Sequence, residues 1–267
     1  MDGRMPAAPA SFGAYAACYD LLYADKDYAA EAERVARIVR AARRGARRIL
    51  EFGAGTGRHG RLLAERGFDV QGIERSPDML EVARARCGPT PASAAAPAGS
   101  FQCSLGDVRT ARADGPFDAV VAMFHVVSYQ ADDASLRDTF ANAERHLVSG
   151  GLFLFDVWHG PAVLSQRPEA RTKRVASDAL EVVRHAAPTL DTATRTVRVD
   201  YNIECRDTAT QVTTRFAERH VLRYLFPAEI DRLAEDAGLV CIAAEEFATG
   251  RPPSDATWGV LYVLRKP

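Results

Sequence analysis

Seven consecutive residues carry the strongest chemical signal in the chain: Glu51, Phe52, Gly53, Ala54, Gly55, Thr56 and Gly57. Three alternating glycines after a short apolar stretch let backbone approach a ligand closely, and a helix starting just beyond them aims free N–H groups at it. Such a loop suits a nucleotide-like ligand. The same stretch contains GTGRHG, with Gly55, Gly57 and Gly60 in the dinucleotide spacing G-x-G-x-x-G. Glu74 follows about 20 residues later, where a ribose-binding carboxylate belongs.

Charge separates the competing ligands. Glu51 at the mouth of the loop opposes a pyrophosphate but favours a ligand bearing an ammonium and a sulfonium, as S-adenosylmethionine does. The register agrees, because the tight turn begins at Gly53, directly after Glu51 and Phe52, whereas the dinucleotide match begins only at Gly55. Other residue groups offer chemistry of their own. In FHVVSY, Phe124 to Tyr129, His125 is a candidate to take a proton from an attacking amine or hydroxyl that Tyr129 orients; imidazole is the side chain whose ordinary titration falls near neutrality. A histidine satisfied by a backbone carbonyl is the alternative. Asp156, Trp158 and His159 leave a later apolar run together, with Asp156 and His159 as further candidate bases and Trp158 and His159 facing substrate. The run RTKR from Arg171 to Arg174, and Arg251, either grip a substrate phosphate or form solvated faces. Met79 covers a base or fills core. Tyr15, Tyr19, Tyr23 and Tyr28 form an aromatic stripe that either packs or, at Tyr15 and Tyr23, closes over a sulfonium by cation–π attraction worth about 0.5–2 kcal/mol.

The elements around these residues alternate between strand and helix. Val35, Ile38, Val39 and Ala42 recur at helical spacing from Tyr28 to Arg44, and Gly45 stops that helix. RRILEF is a short strand, Leu62 and Leu63 mark the next helix, and FDVQGIE is a second strand. Ser76 and Pro77 open a further helix as N-cap and first-turn residue. The small, Pro-rich GPTPASAAAPAGS, Gly88 to Ser100, reads as a surface loop before the strand FQCSLGD. FDAVVAMF and LFLFDVW are near-continuous apolar runs, as in parallel strands covered on both faces. The pattern then changes to a period of two, with Val197, Val199, Tyr201, Ile203 and Cys205 alternating with polar residues, which predicts an antiparallel strand whose partner covers Gln211 to Tyr224. The expectation is an α/β fold: a seven-stranded, mostly parallel Rossmann-like sheet with helices on both faces and an inserted antiparallel β lobe. Its divisions are a tail and lid at 1–46, a cofactor-binding core at 47–159, the lobe at 160–225, and the end of the core at 226–267.

Composition bounds the function. The 267 residues are 47% apolar and 26% charged, which fits a globular domain and excludes a disordered, collagen-like or membrane-spanning chain. Lys and Arg total 34 against 35 Asp and Glu, so no surplus positive field exists to hold nucleic acid or anionic lipid. Five scattered cysteines without a C-x-x-C pair suggest neither zinc nor a disulfide framework, and a reducing cytoplasm is the simplest home. The opening MDGRMPAAPAS lacks the apolar core of a secretory signal and reads as a loose tail.

With these residues in order, the sequence resembles the class I S-adenosylmethionine-dependent methyltransferases over most of residues 47–160 and the final helix and strands. The resemblance implies that EFGAGTG, with Glu51, Gly53, Gly55 and Gly57, holds the methionine end of the cofactor. It implies that Glu74 binds the ribose hydroxyls and that Asp107 contacts adenine; Met79 and Phe124 are further candidates for the cofactor pocket. The segment AYAACYDLLYADKDYAAE is similar to the lid of methyltransferases that N-methylate nucleotide-linked aminosugars, which places Tyr15 and Tyr23 over the cofactor and the Phe124–Tyr129 turn beside the transferred methyl group. The partners then expected are a small-molecule substrate, a nucleotide-linked deoxysugar by resemblance, with a homodimer compatible and neither nucleic acid nor membrane. DVWHGPAVL departs from those enzymes where substrate would sit, which keeps O-methylation of a small metabolite or glycan precursor open. A nicotinamide-dependent oxidoreductase and a noncatalytic cofactor-binding module are the readings from other classes.

Overall fold

The computed structural model describes residues 15–93 and 96–267, so the expected tail lies outside the described residues. Two helices come first, α1 (Ala16–Leu22) and α2 (Tyr28–Ala42), the second capped by Asp27, whose carboxylate accepts the Ala30 N–H at 2.8 Å. Strand β1 (Arg48–Phe52) runs through the glycine loop into α3 (Arg58–Glu65). Then follow β2 (Asp69–Glu74) and α4 (Pro77–Arg84), which starts on the expected Ser76 cap and Pro77. Next are β3 (Gly88–Thr90), β4 (Gly99–Leu105), β5 (Phe117–Ala122), a 3₁₀ turn (Val127–Tyr129), α5 (Asp133–His146) and β6 (Leu147–His159).

The seven expected strands are present as the order β4-β2-β1-β5-β6, all parallel, continued by two antiparallel strands near the C-terminus, β12 (Gly259–Arg265) and β11 (Val240–Glu246). Alternation along β6 shows why both faces are covered. Phe153 and Phe155 point into one core beneath α5 and α7 (Pro227–Asp236), while Leu152 and Leu154 join Val35, Leu63 and Phe68 in the other, beneath α2 and α3. A fully buried phenylalanine contributes about 1.5–3 kcal/mol, so this double burial fixes the sheet on which the site stands.

Among the described residues the full sheet has twelve strands rather than seven. One addition is β3, which corrects the reading of residues 88–100 as loop throughout. Thr90 donates its hydroxyl to the Ala64 carbonyl at 2.8 Å and accepts the Gly99 N–H at 3.1 Å, pinning a short antiparallel pairing of β3 with β4. Composition conceals that anchor because one hydroxyl carries it. The other four strands are β7 (Arg171–Ala176), β8 (Leu180–Asp191), β9 (Thr196–Asp207) and β10 (Thr213–Leu225), which follow α6 (Gly160–Gln166). They form the expected antiparallel lobe, and Tyr224 and Leu225 of β10 pair in parallel with Trp158 and His159 of β6, so lobe and core share one continuous sheet. Arg223, buried beside Glu229 of α7 and 2.6 Å from Asp133 of α5, ties the junction together.

Candidate active site

The glycine loop ends β1 with Gly53, Gly55 and Gly57 all at positive φ, a region that L side chains rarely occupy. At Gly53 a side chain would also collide with Val126, 2.5 Å from the position of its Cβ. The loop is tied to the next strand by Glu74, whose carboxylate accepts the Gly55 N–H at 2.8 Å and the Ser76 N–H at 2.7 Å. Burial raises the Glu74 carboxyl above its ordinary value.

Gly53 to Thr56 of the loop, Glu74, Met79 and Asp107 are among the lining of a cavity of about 260 Å³. Asp107 is gripped by Arg109, with Nε to Oδ1 at 2.9 Å and Nη2 to Oδ2 at 2.6 Å, and these hydrogen bonds hold its carboxyl below the usual range. Two expected cofactor residues stand behind the wall instead. Gly57 packs against Phe101 and Ala83. Glu51 is not at the mouth of the loop: it is buried beneath it, and burial together with the Glu74 charge pushes its carboxyl up to about 8. The reason is that β1 is covered on both faces, so Glu51 turns inward against Gly60, where its Oε2 would lie 2.6 Å from a Cβ, rather than outward to ligand. Its Oε2 has no hydrogen-bond partner among the described residues. The glycine cradle and the Glu74 carboxylate tied to it suit an adenosyl ligand, whereas Glu51, largely protonated below about pH 8 and behind the wall, does not supply the attraction for a cation expected of it.

Phe124 and His125 follow β5 with φ of 64° and 65°, a strained pair of a kind that persists where surrounding contacts over-determine it. Asp156 supplies those contacts. Its carboxylate accepts the His125 backbone N–H at 3.2 Å and sits 2.7 Å from His125 Nδ1. Burial alone would raise the Asp156 carboxyl, but the His125 contacts hold it below the usual range. Asp156 does not reach the cavity; it stands behind the imidazole and orients it. Its expected role as an alternative base is therefore corrected to that of an orienting partner.

Trp158 and Tyr129 line the cavity, with Tyr129 Oη 2.8 Å from His220 Nδ1. His159 and Arg251 do not. His159 is buried at the sheet junction, where burial lowers its pKa, and Arg251 is exposed in the loop after β11. The Arg171–Arg174 run forms β7, whose Lys173 pairs with Asp25 at 2.7 Å.

The lid tyrosines Tyr15, Tyr19, Tyr23 and Tyr28 all reach the cavity, Tyr23 meeting Phe124 edge to face with ring centres 5.0 Å apart. Opposite them the lobe contributes Tyr201 and His220, neither of which the sequence marks as a site residue. Burial, then the nearby Arg184 and Arg75 charges, pushes His220 down to about 4, so it is neutral near pH 7. Tyr201 is legible only as a member of the apolar face of its strand. His220 becomes its neighbour, rings 5.0 Å apart, through the β9–β10 register Val199↔His220.

Residues 49–151 match the family model for a methyltransferase domain. The dTDP-3-amino-3,4,6-trideoxy-alpha-D-glucopyranose N,N-dimethyltransferase of Streptomyces venezuelae is 34% identical over 149 residues, covering 55% of this chain and 58% of that protein. The chain thus spans little more than half the length of the curated relatives it matches. Among solved structures, an S-adenosylmethionine-bound amino pentose methyltransferase from Micromonospora echinaspora, involved in calicheamicin biosynthesis, superposes with a TM-score of 0.72 at 27% identity over 97% of this chain and 98% of that one. A sugar N-methyltransferase from a Streptoalloteichus species gives 0.75 at 27% identity, covering 100% and 98%. Residues 49–151 thus carry a methyltransferase domain, and solved sugar N-methyltransferases share the fold of nearly the whole chain. Among the described residues, no helix is long and apolar enough to cross a membrane, and no group of three or more His, Cys, Asp or Glu is placed to hold a metal ion.

Proposed function

We propose that the protein transfers a methyl group from S-adenosylmethionine to the amino group of a small molecule, a nucleotide-linked deoxysugar. The observation that carries this reading is one cavity lined together by the glycine loop with Glu74, by His125 and by a set of aromatic side chains. Gly53, Gly55, Glu74, Met79 and Asp107 would hold the cofactor, which supplies an electrophilic methyl carbon and a sulfur that departs as a neutral thioether. The chain's own task is alignment and exclusion of water, and effective molarity alone supplies about 7–11 kcal/mol of the barrier. Tyr15, Tyr19 and Tyr23 close the cavity from the lid side. Asp156 Oδ2 lies 2.7 Å from Nδ1 of His125, a proximity that favours the ring proton on Nδ1 and leaves Nε2 to take the proton that the acceptor releases. Burial raises the Tyr129 phenol well above its ordinary value, so it stays protonated and orients the acceptor as a neutral group.

The nucleotide-linked aminosugar is the acceptor class because relatives at 29–34% identity are dTDP-aminosugar N,N-dimethyltransferases. Purified protein incubated with labelled S-adenosylmethionine and a panel of nucleotide aminosugars and hydroxylated metabolites is expected to add methyl groups to the amines. Transfer to hydroxyl compounds alone, or to none, overturns the reading.

A further inference from the structure

Arg184 of β8 does not line the cavity, yet it lies directly behind two of the lid residues that do. Its Nη1 donates to Tyr15 Oη and to Tyr23 Oη, each at 2.8 Å, and those two oxygens are 3.3 Å apart. The guanidinium also lies 5.3 Å from the centre of the Tyr23 ring and 4.8 Å from that of Tyr201. A planar fork serves both demands, stacking on rings while donating from its edge, which a lysine ammonium cannot do. Other arginines of the lobe meet carboxylates: Arg198 and Arg219 meet Asp200, Arg206 meets Glu181, and Arg215 meets Glu204. Arg184 is spent on phenols, and burial raises the Tyr15 phenol far above its ordinary value, so its partner there is a neutral ring rather than a counter-charge.

The rings it holds lead to His125. Tyr23 meets Phe124 edge to face at 5.0 Å, and Phe124 precedes the strained His125, its ring 5.6 Å from the imidazole. Tyr15 reaches His220 at 5.8 Å. The lid has a second anchor on its other side. The Asp20 carboxylate accepts the Thr56 hydroxyl of the glycine loop at 2.8 Å and pairs with Arg86 at 2.5 Å and Arg58 at 3.1 Å. Helix α1 is therefore a strap fixed at one point to the cofactor loop and at another to the lobe.

We infer that Arg184 is a positioning residue of the methyltransferase: it latches Tyr15 and Tyr23 of the lid to the lobe and thereby sets the aromatic wall beside His125. This rests on the function proposed above. The test compares wild type, Arg184→Met and Arg184→Lys by three readouts: turnover, S-adenosylhomocysteine affinity by calorimetry, and amide hydrogen exchange of residues 16–23. Losing the donor removes the bonds that tie both phenol oxygens to the lobe, so turnover in Arg184→Met is expected to fall about tenfold or more and exchange in α1 to rise by a similar factor. Cofactor-product affinity stays within about threefold, because the Asp20 anchor remains. Arg184→Lys falls between the two, and adding Arg184→Met to the Tyr15→Phe/Tyr23→Phe double variant costs less than it does in the wild type. Unchanged turnover and unchanged exchange in Arg184→Met overturn the inference, as does full additivity with the phenylalanine changes. Should the wild type bind no adenosyl ligand and transfer no methyl group, the functional reading fails, and the exchange of α1 in the ligand-free protein decides the latch by itself.

Discussion

The glycine-loop part of the cavity lining comes from one stretch of chain, Gly53 to Asp107, whereas the aromatic part is assembled from four separated segments. Those segments are the lid with Tyr15 and Tyr23, the turn with His125 and Tyr129, the end of β6 with Trp158, and the lobe with Tyr201 and His220. The first part is held by bonds from neighbouring strand ends, as Glu74 is to the amides of Gly55 and Ser76. The second is held by tertiary contacts, as His125 is to Asp156 and Tyr129 is to His220. Changes in one part should therefore alter affinity for the cofactor and changes in the other should alter turnover. A site with one undivided function would mix the two.

The largest effect that sharpens this contrast is expected from His125→Ala. Turnover should fall about 100-fold, in the range for a lost proton acceptor, while calorimetry gives nearly unchanged S-adenosylhomocysteine affinity. An undiminished rate at saturating substrate would remove His125 from the mechanism. In the glycine-loop part, Glu74→Ala should weaken cofactor-product binding about tenfold through loss of a carboxylate contact, with turnover at saturating cofactor largely retained. Unaltered affinity would break the division of labour.

The smallest effect concerns Glu51. Its carboxyl rises from 4.5 to about 8 on folding, so between those values the folded chain holds a proton that the unfolded chain has lost. Stability from this group is thus complete below pH 4.5 and lost as pH rises through about 8. Glu51→Gln lacks that dependence. Thermal melts across this window should show the variant gaining on the wild type by at least about 2–4 °C, the equivalent of roughly 1 kcal/mol. Parallel pH profiles would show that Glu51 ionises freely in the folded protein.

Much of the glycine-loop part is legible in the order of residues. Gly53, Gly55 and Glu74 act through backbone conformation and strand-end position, which follow from residue type and local spacing. The Ser76 cap and the two-faced burial of β6 are readable on the same ground. Glu51 is legible in identity but not in direction, because whether a strand-end side chain faces ligand or core depends on which helices cover the sheet. His159 and Arg251 show the same gap: both leave the strands near the site in sequence, but the sheet junction buries one and the loop after β11 carries the other away. Arg184 and His220 carry no local mark at all.

Residue order is enough to specify the alternating α/β frame and the loop that receives a cofactor, since turns, caps and burial periodicity are properties of neighbouring residues. Which distant side chains meet across the cavity is decided only by strand register and by the docking of lid on lobe. Shifting β9 against β10 by one residue would turn Tyr201 and His220 to opposite faces without changing a letter of either motif.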